Sequence, residues 1–164
     1  MDLLLALVGV LAVLHVLYAS WTARRLDRLH ARVDAATTAL DGQLRQRAAA
    51  SLEFATASRH PHARELAEAA RAAMGCPGLG HDREVVESAL SRALQAVADE
   101  AGPALVDVAM RTGFARRFHN DAVRDALTVR RRRVVRWFHL AGTARLPSFF
   151  EMDEATPDRR TMVV

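Results

Sequence analysis

The chain has 164 residues, a formal net charge of +4 and a single cysteine. It is the size of one domain with an appendage and cannot hold an intrachain disulfide. Every basic side chain is arginine and only 5% of residues are aromatic, too few for a surface that stacks nucleic-acid bases. The sequence has no glycine-rich phosphate loop, no zinc-ligand pair at finger spacing and no Glu-x-x-His, so no metal or cofactor is expected.

Leu3 to Ser20 reads LLLALVGVLAVLHVLYAS, without a charged side chain. As a helix, Leu3 to Trp21 would be roughly 28 Å long, close to the thickness of a bilayer core. Tyr18 and Trp21 fall where an interfacial aromatic belt belongs. A cleaved signal peptide is the competing reading. Against it, the region before the apolar run carries only Asp2, and cleavage after Ala19 or Ser20 would put Leu17 or Tyr18 where a small residue is preferred. The stretch is therefore read as an uncleaved anchor over residues 1–21. Arg24, Arg25, Arg28 and Arg32 follow it and nothing basic precedes it, which places the N-terminus outside and the rest in the cytoplasm of an inner-membrane protein. His15, inside the span, is expected to be a neutral imidazole hydrogen-bonded to a neighbour.

Past the anchor, no segment alternates as a strand would. Leu26, Leu29, Val33, Leu40, Leu44, Ala48, Leu52 and Ala55 form one helical stripe, with arginine and aspartate opposite. The span is thus expected to continue as one helix to about Ser58, where Arg59-His60-Pro61-His62 ends it. A short helix over Pro61–Met74 follows. The turn Gly75–Gly80 (GCPGLG) comes next, then a helix capped by Asp82 and running to about Ala101. Gly102-Pro103 starts the last helix, read through Leu105, Met110, Phe114, Phe118, Ala122, Ala126 or Leu127, Val134 and Phe138. The fold expected is all-α: a transmembrane helix continuing into an antiparallel up-down four-helix bundle over residues 22–141. An irregular tail over 142–164 would follow, disordered after Glu151.

Four consecutive arginines, Arg130 to Arg133, sweep about 300° around a helix at about 100° each. They cannot share one solvent face, and a buried unpaired guanidinium is costly, so the run is expected at the end of the bundle. Antiparallel topology would bring it beside Arg24, Arg25, Arg28 and Arg32. Trp137, Phe138, Phe149 and Phe150 would add aromatics at that level. Such a collar suits an anionic lipid surface, at about 1 kcal/mol per arginine. The alternative is a membrane-tethered nucleic-acid binder using the same arginines.

Several segments resemble a known family in order along residues 1 to 151. They are the anchor, QLRQRAAASLE (Gln43–Glu53), ESALSRALQAV (Glu87–Val97), ARRFHNDAVR (Ala115–Arg124) and LPSFFEMDE (Leu146–Glu154). The chain looks like the LemA family of bacterial membrane proteins. Arg45-Gln46-Arg47 is similar to the family's Gln-Arg-Arg. Phe118 to Val123 loosely matches its Tyr-Asn-x-Ala-Val helix, and Phe149-Phe150-Glu151 matches its terminal Phe-Phe-Glu. Where the family has a second Tyr-Asn, this chain has Ala126-Leu127 and arginines. The resemblance implies one N-terminal anchor, a cytoplasmic four-helix domain and no established enzymatic activity. It supplies no catalytic residue.

Phe118, Asn120, Asp121 and Val123 are read as a possible interaction motif. The simpler expectation for Asn120 and Asp121 is pairing with Arg116 and Arg117 on the helix face, worth about 0.2–0.5 kcal/mol. His60, His62, Cys76 and His81 lie at turns flanking the second helix, roughly 20 Å apart at 1.5 Å per residue, too far for one metal. Glu65, Glu68, Glu84 and Glu87 fall at helical intervals and are read as solvated. The expected function is a membrane-anchored structural or interaction module with no catalytic activity. Its partners would be anionic lipid and an unidentified protein or a second copy, in preference to nucleic acid.

Overall fold

The computed structural model describes residues 1–131 and 146–153. Four helices follow in chain order: α1 (Asp2–Ala57), α2 (Ala63–Gly75), α3 (His81–Ala96) and α4 (Pro103–Arg130). Among the described residues there is no strand, and the all-α expectation holds. The anticipated continuation of α4 to Phe138 lies, past Arg131, outside the described residues, as does most of the expected tail.

α1 runs unbroken for 56 residues. Its first part is apolar on every side and bare: Leu3 to Leu17 keep more than half of their surface exposed at each leucine and valine. An apolar helix with none of its span buried does not behave as the core helix of a globular protein. It is long and apolar enough to cross a membrane. From Leu26 onward the pattern changes to the expected stripe. Leu26, Val33, Leu40, Leu44, Ala48 and Ala55 are buried, while Leu29 and Leu52 are half-buried.

The chain divides into two compact units, Met1–Asp34 with Asp121–Ser148, and Ala35–Asn120 with Phe149–Val164. In the first, Leu26 and Val129 bury each other with Leu29 beside them, and Arg32 pairs with Asp125 at 3.1 Å. Numbers rise along α1 as they fall along α4, so the two segments run antiparallel. The second unit shows the same sense: Thr37 Oγ1 meets His119 Nδ1 at 3.4 Å, and the Thr112 hydroxyl donates to the Gln43 carbonyl at 3.3 Å. Here α2 and α3 pack through Leu66, Ala67, Ala70 and Ala73 against Leu90, Ala93, Leu94 and Val97, with Ala48 and Ala55 of α1 in the same core.

Three local readings are corrected. α3 is not capped by Asp82. Gly80 precedes the helix in an extended conformation with no side-chain cap, and Asp82 and Glu84 sit inside the first turn, where their charge faces the positive end of the helix dipole. α3 stops at Ala96 rather than Ala101. Val97, Ala98 and Glu100 close tighter turns on Leu94, Gln95 and Val97, a common way to satisfy a helix's last carbonyls. On α4, Phe114 and Phe118 are 57% and 68% exposed. The inward face instead follows Leu105, Val108, Thr112, His119, Ala122, Ala126 and Val129, all buried. The two phenylalanines misled the reading because the buried positions on either side of them carry polar residues, Thr112 and His119.

Shortening Leu90, fully buried at the α2–α3 contact, to alanine should cost about 2–5 kcal/mol. Val85→Ala, on an exposed position of the same helix, should stay within about 0.5 kcal/mol. Denaturant unfolding followed by circular dichroism reads both, and equal effects would mean α3 is packed the other way round.

Candidate functional site

Position 47 belongs to the buried stripe of α1: it lies seven residues after Leu40 and three after Leu44. Positions 83, 87, 90, 91 and 94 share the inward face of α3. The sequence puts Arg47, Ser51, Arg83, Glu87 and Ser91 at these places, and all five are at most 2% exposed. Each charge survives burial because its partners arrive with it. Arg47 Nη2 donates to Glu87 Oε2 at 2.5 Å and to the Glu87 carbonyl at 3.1 Å. Arg47 Nη1 donates to Ser91 Oγ at 3.1 Å. Arg83 Nε donates to the other carboxylate oxygen, Glu87 Oε1, at 2.8 Å. The far end of Arg83 donates through Nη1 to the Cys76 carbonyl, tying the loop before α3 to the cluster. That loop turns at Gly78, whose φ of 72° is a region side-chain-bearing residues rarely adopt.

The last described residues cross this cluster as an extended strap. Phe150 is 1% exposed and packs on Leu40, Leu44, Leu79 and Ala115. Its N–H donates to Asn120 Oδ1 at 2.9 Å, and its carbonyl accepts from Asn120 Nδ2 at 3.1 Å. The N–H of Glu151 donates to Glu84 Oε1 at 2.9 Å and that of Asp153 to Ser88 Oγ at 3.1 Å. The Asp153 carboxylate meets Arg92 at 2.8 Å. Met152 lays its sulfur 3.9 Å from Arg47 Nη2. Between strap and α3 lies an open groove of about 460 Å³, lined by His81, Glu84, Ser88 and Arg92 among others.

These contacts overturn several expectations. Glu87 is not solvated but lies between two guanidiniums, and Glu84 holds the strap. Asn120 does not pair with Arg116 or Arg117; its amide clamps the Phe150 main chain. Asp121 pairs forward, with Arg124 at 2.7 Å. Phe150 does not join the arginine collar: it packs with Leu40 and Leu44, in the unit that does not hold the collar residues. Nor is the chain disordered directly after Glu151, since Met152 and Asp153 are both engaged. The helical phase of 47, 51, 83 and 87 was the signal for the charged core. No periodicity announces the Asn120 clamp.

The collar residues lie in the other unit. Arg24 and Arg28 are exposed and Arg25 is half-buried, its guanidinium 5.7 Å from the Trp21 ring centroid, near enough for a cation–π contact. Arg130 is half-buried and Arg131 exposed, directly after the Val129 that packs on Leu26. Arg132, Arg133 and Trp137 lie outside the described residues. Of the interaction motif, Val123 is fully buried, Phe118 is exposed and Asp121 faces solvent. Outside these sites, the exposed Arg111 has its pKa raised, first by its hydrogen bond to Asp107 and then by that carboxylate's charge.

Compared with family models, with curated proteins and with solved structures, the chain finds no match.

The buried ion cluster makes a distinctive prediction. Glu87→Leu alone leaves two buried guanidiniums facing each other and should cost about 3–5 kcal/mol, whereas replacing Arg47, Arg83 and Glu87 together by methionine and leucine should recover most of it. Thermal and denaturant unfolding of the single and triple variants checks this. A triple variant as unstable as the single one would show that the charges contribute more than mutual compensation.

Proposed function

We propose that the chain is a membrane-anchored helical module that presents an interaction surface at the cytoplasmic face of the inner membrane and carries out no reaction. The observation that carries this reading is α1 itself. One helix holds a charge-free apolar span, then Trp21, then Arg24, Arg25 and Arg28, then the core stripe of a bundle. The order apolar, aromatic, basic is the order of a bilayer core, its interface and an anionic cytoplasmic surface.

The collar reading draws support from the packing of Leu26 on Val129. Arg130 and Arg131 directly follow Val129, and Arg24, Arg25 and Arg28 lie within two residues of Leu26. Arg132, Arg133 and Trp137, which complete the proposed collar, follow in the sequence. Kinship with the LemA family is part of the proposal. Its support is that the segments carrying the resemblance meet: Arg47, Glu87, Ser91, Asn120, Phe150 and Glu151 all contribute to one charged core and the strap over it.

Two measurements test the proposal. Cys76, the single cysteine, should be protected from a membrane-impermeant maleimide in intact cells and labelled in inverted membrane vesicles; the reverse pattern would invert the orientation. A chain lacking residues 1–21 should bind anionic vesicles. Glutamine at Arg24, Arg25, Arg28 and Arg130 to Arg133 should abolish most of that binding, each arginine contributing at most about 1 kcal/mol. Unchanged vesicle affinity would remove the collar, and DNA retention with a steep salt slope would favour a tethered nucleic-acid binder instead.

A further inference from the structure

Met152 is the strap side chain that meets the buried ion cluster. Its sulfur lies 3.9 Å from Arg47 Nη2, a contact in which a guanidinium donates to a thioether, one of the weakest acceptors a side chain offers. That guanidinium belongs to a residue only 2% exposed, and its Nε–H has no hydrogen-bond partner among the described residues. A buried donor left unmet is costly, so a stronger acceptor in place of the sulfur would be held there. Met152 itself is half-buried and lines the open groove beside His81, Glu84 and Ser88, where a solute the size of water reaches it from solvent.

We propose that Met152 is a peroxide-reactive site whose sulfoxide is held by Arg47, so that oxidation fastens the strap instead of freeing it. A sulfur lone pair attacks one oxygen of hydrogen peroxide. The S–O bond forms as the O–O bond breaks, and the departing hydroxide takes the proton from the transferred oxygen to become water. Sulfur gives up two electrons and the peroxide takes them, so no further reagent is needed. Sulfoxidation usually disrupts packing, because it turns an apolar side chain polar. Two features reverse the sign here. The sulfoxide oxygen carries partial negative charge, and a hydrogen bond from an ionised donor is about twice as strong as a neutral one. That donor is already in place beside the sulfur, while the rest of the side chain stays packed with Phe150, Leu40 and Leu44. The chemistry is the same whether or not α1 lies in a membrane.

Hydrogen exchange of the strap reads the outcome, because the N–H groups of Phe150, Glu151 and Asp153 are held by Asn120, Glu84 and Ser88 and exchange only when the strap opens. The full chain in lipid vesicles is treated with dilute hydrogen peroxide. Peptide mass spectrometry follows oxygen uptake, and deuterium exchange is followed over residues 146–153. Met152 is expected to gain one oxygen at a rate within several-fold of Met74, which is 51% exposed, and strap exchange is expected to slow several-fold. Met152→Leu should abolish the effect of peroxide on exchange. Met152→Gln sets a carbonyl oxygen where the sulfoxide's would be and should slow exchange without any oxidant. In the triple variant Arg47→Leu, Arg83→Leu, Glu87→Leu, Met152 should still take up oxygen, but strap exchange should then quicken. The Met152→Gln and Met152→Leu chains keep the ion cluster intact, so they decide the sign of the effect independently of how the triple variant folds. Faster strap exchange on oxidation of the unaltered chain would overturn the proposal, as would a Met152 that stays reduced while Met74 is converted. Slowing that persists in the triple variant would take the role away from Arg47 and overturn it equally.

Discussion

A carboxylate sealed from water must be met by cations or it will not stay charged at tolerable cost, and Glu87 is met by two. This single requirement fixes more of the second unit than any apolar contact does. Arg47 reaches Glu87 from α1, so the register of α1 against α3 is set to within a fraction of a turn. Arg83 occupies the second carboxylate oxygen and then holds the Cys76 carbonyl, so the turn before α3 is set as well. Leucine or alanine at the same positions would tolerate sliding by a helical turn; a hydrogen-bonded ion cluster does not. Buried ionic groups contribute little net stability, and their better-attested role is to select one arrangement among many. In a core built largely of alanine, where neighbouring side chains resemble one another, that selection has most to do.

The same helix that delivers Arg47 carries two side-chain patterns along its length. Over its first turns α1 is apolar all round, which suits hydrocarbon on every side. After Trp21 it is apolar on one stripe only, which suits water on one side and protein on the other. No glycine or proline marks the change; the Thr22 hydroxyl simply folds back onto the Tyr18 carbonyl at 2.8 Å, and the helix goes on. The transition is therefore written in side chains alone. Arginine on the turns just past it is compatible with both neighbours, since its stem can lie along apolar surface while its head stays solvated.

The stripe of α1 was legible because it is regular: leucine and valine at three- and four-residue spacing, with nothing else competing for the buried face. The charged core was legible only in part. Arg47 and Glu87 share the phase of their apolar neighbours, but residue type argued for solvent, and type was the wrong guide because one of the two charges that compensate Glu87, Arg47, is 40 positions away in sequence. The strap was illegible for a different reason. An extended segment held by Asn120, Glu84 and Ser88 has no period of its own, and its partners are ordinary surface residue types. The start of α3 was misread because Asp82 is a good cap in isolation, whereas the N-cap position falls two residues earlier, at Gly80.

The misreading of α4 and the burial of Phe150 have one cause. Phe114 and Phe118 look like core residues, yet α4 turns them outward, with Arg117 lying 5.8 Å from the Phe114 ring centroid. The face turned inward offers Thr112, Ala115 and His119, residues smaller or more polar than the phenylalanines turned outward. Protein interiors are close-packed, and here Phe150 takes part in that packing, clustered with both leucines and with Ala115. An aromatic ring supplied from outside the helices thus completes the core. Asn120 of α4 holds the backbone of Phe150 by both its N–H and its carbonyl, while the ring packs with Leu40 and Leu44 of α1. The helical part of this unit is consequently unfinished without its strap.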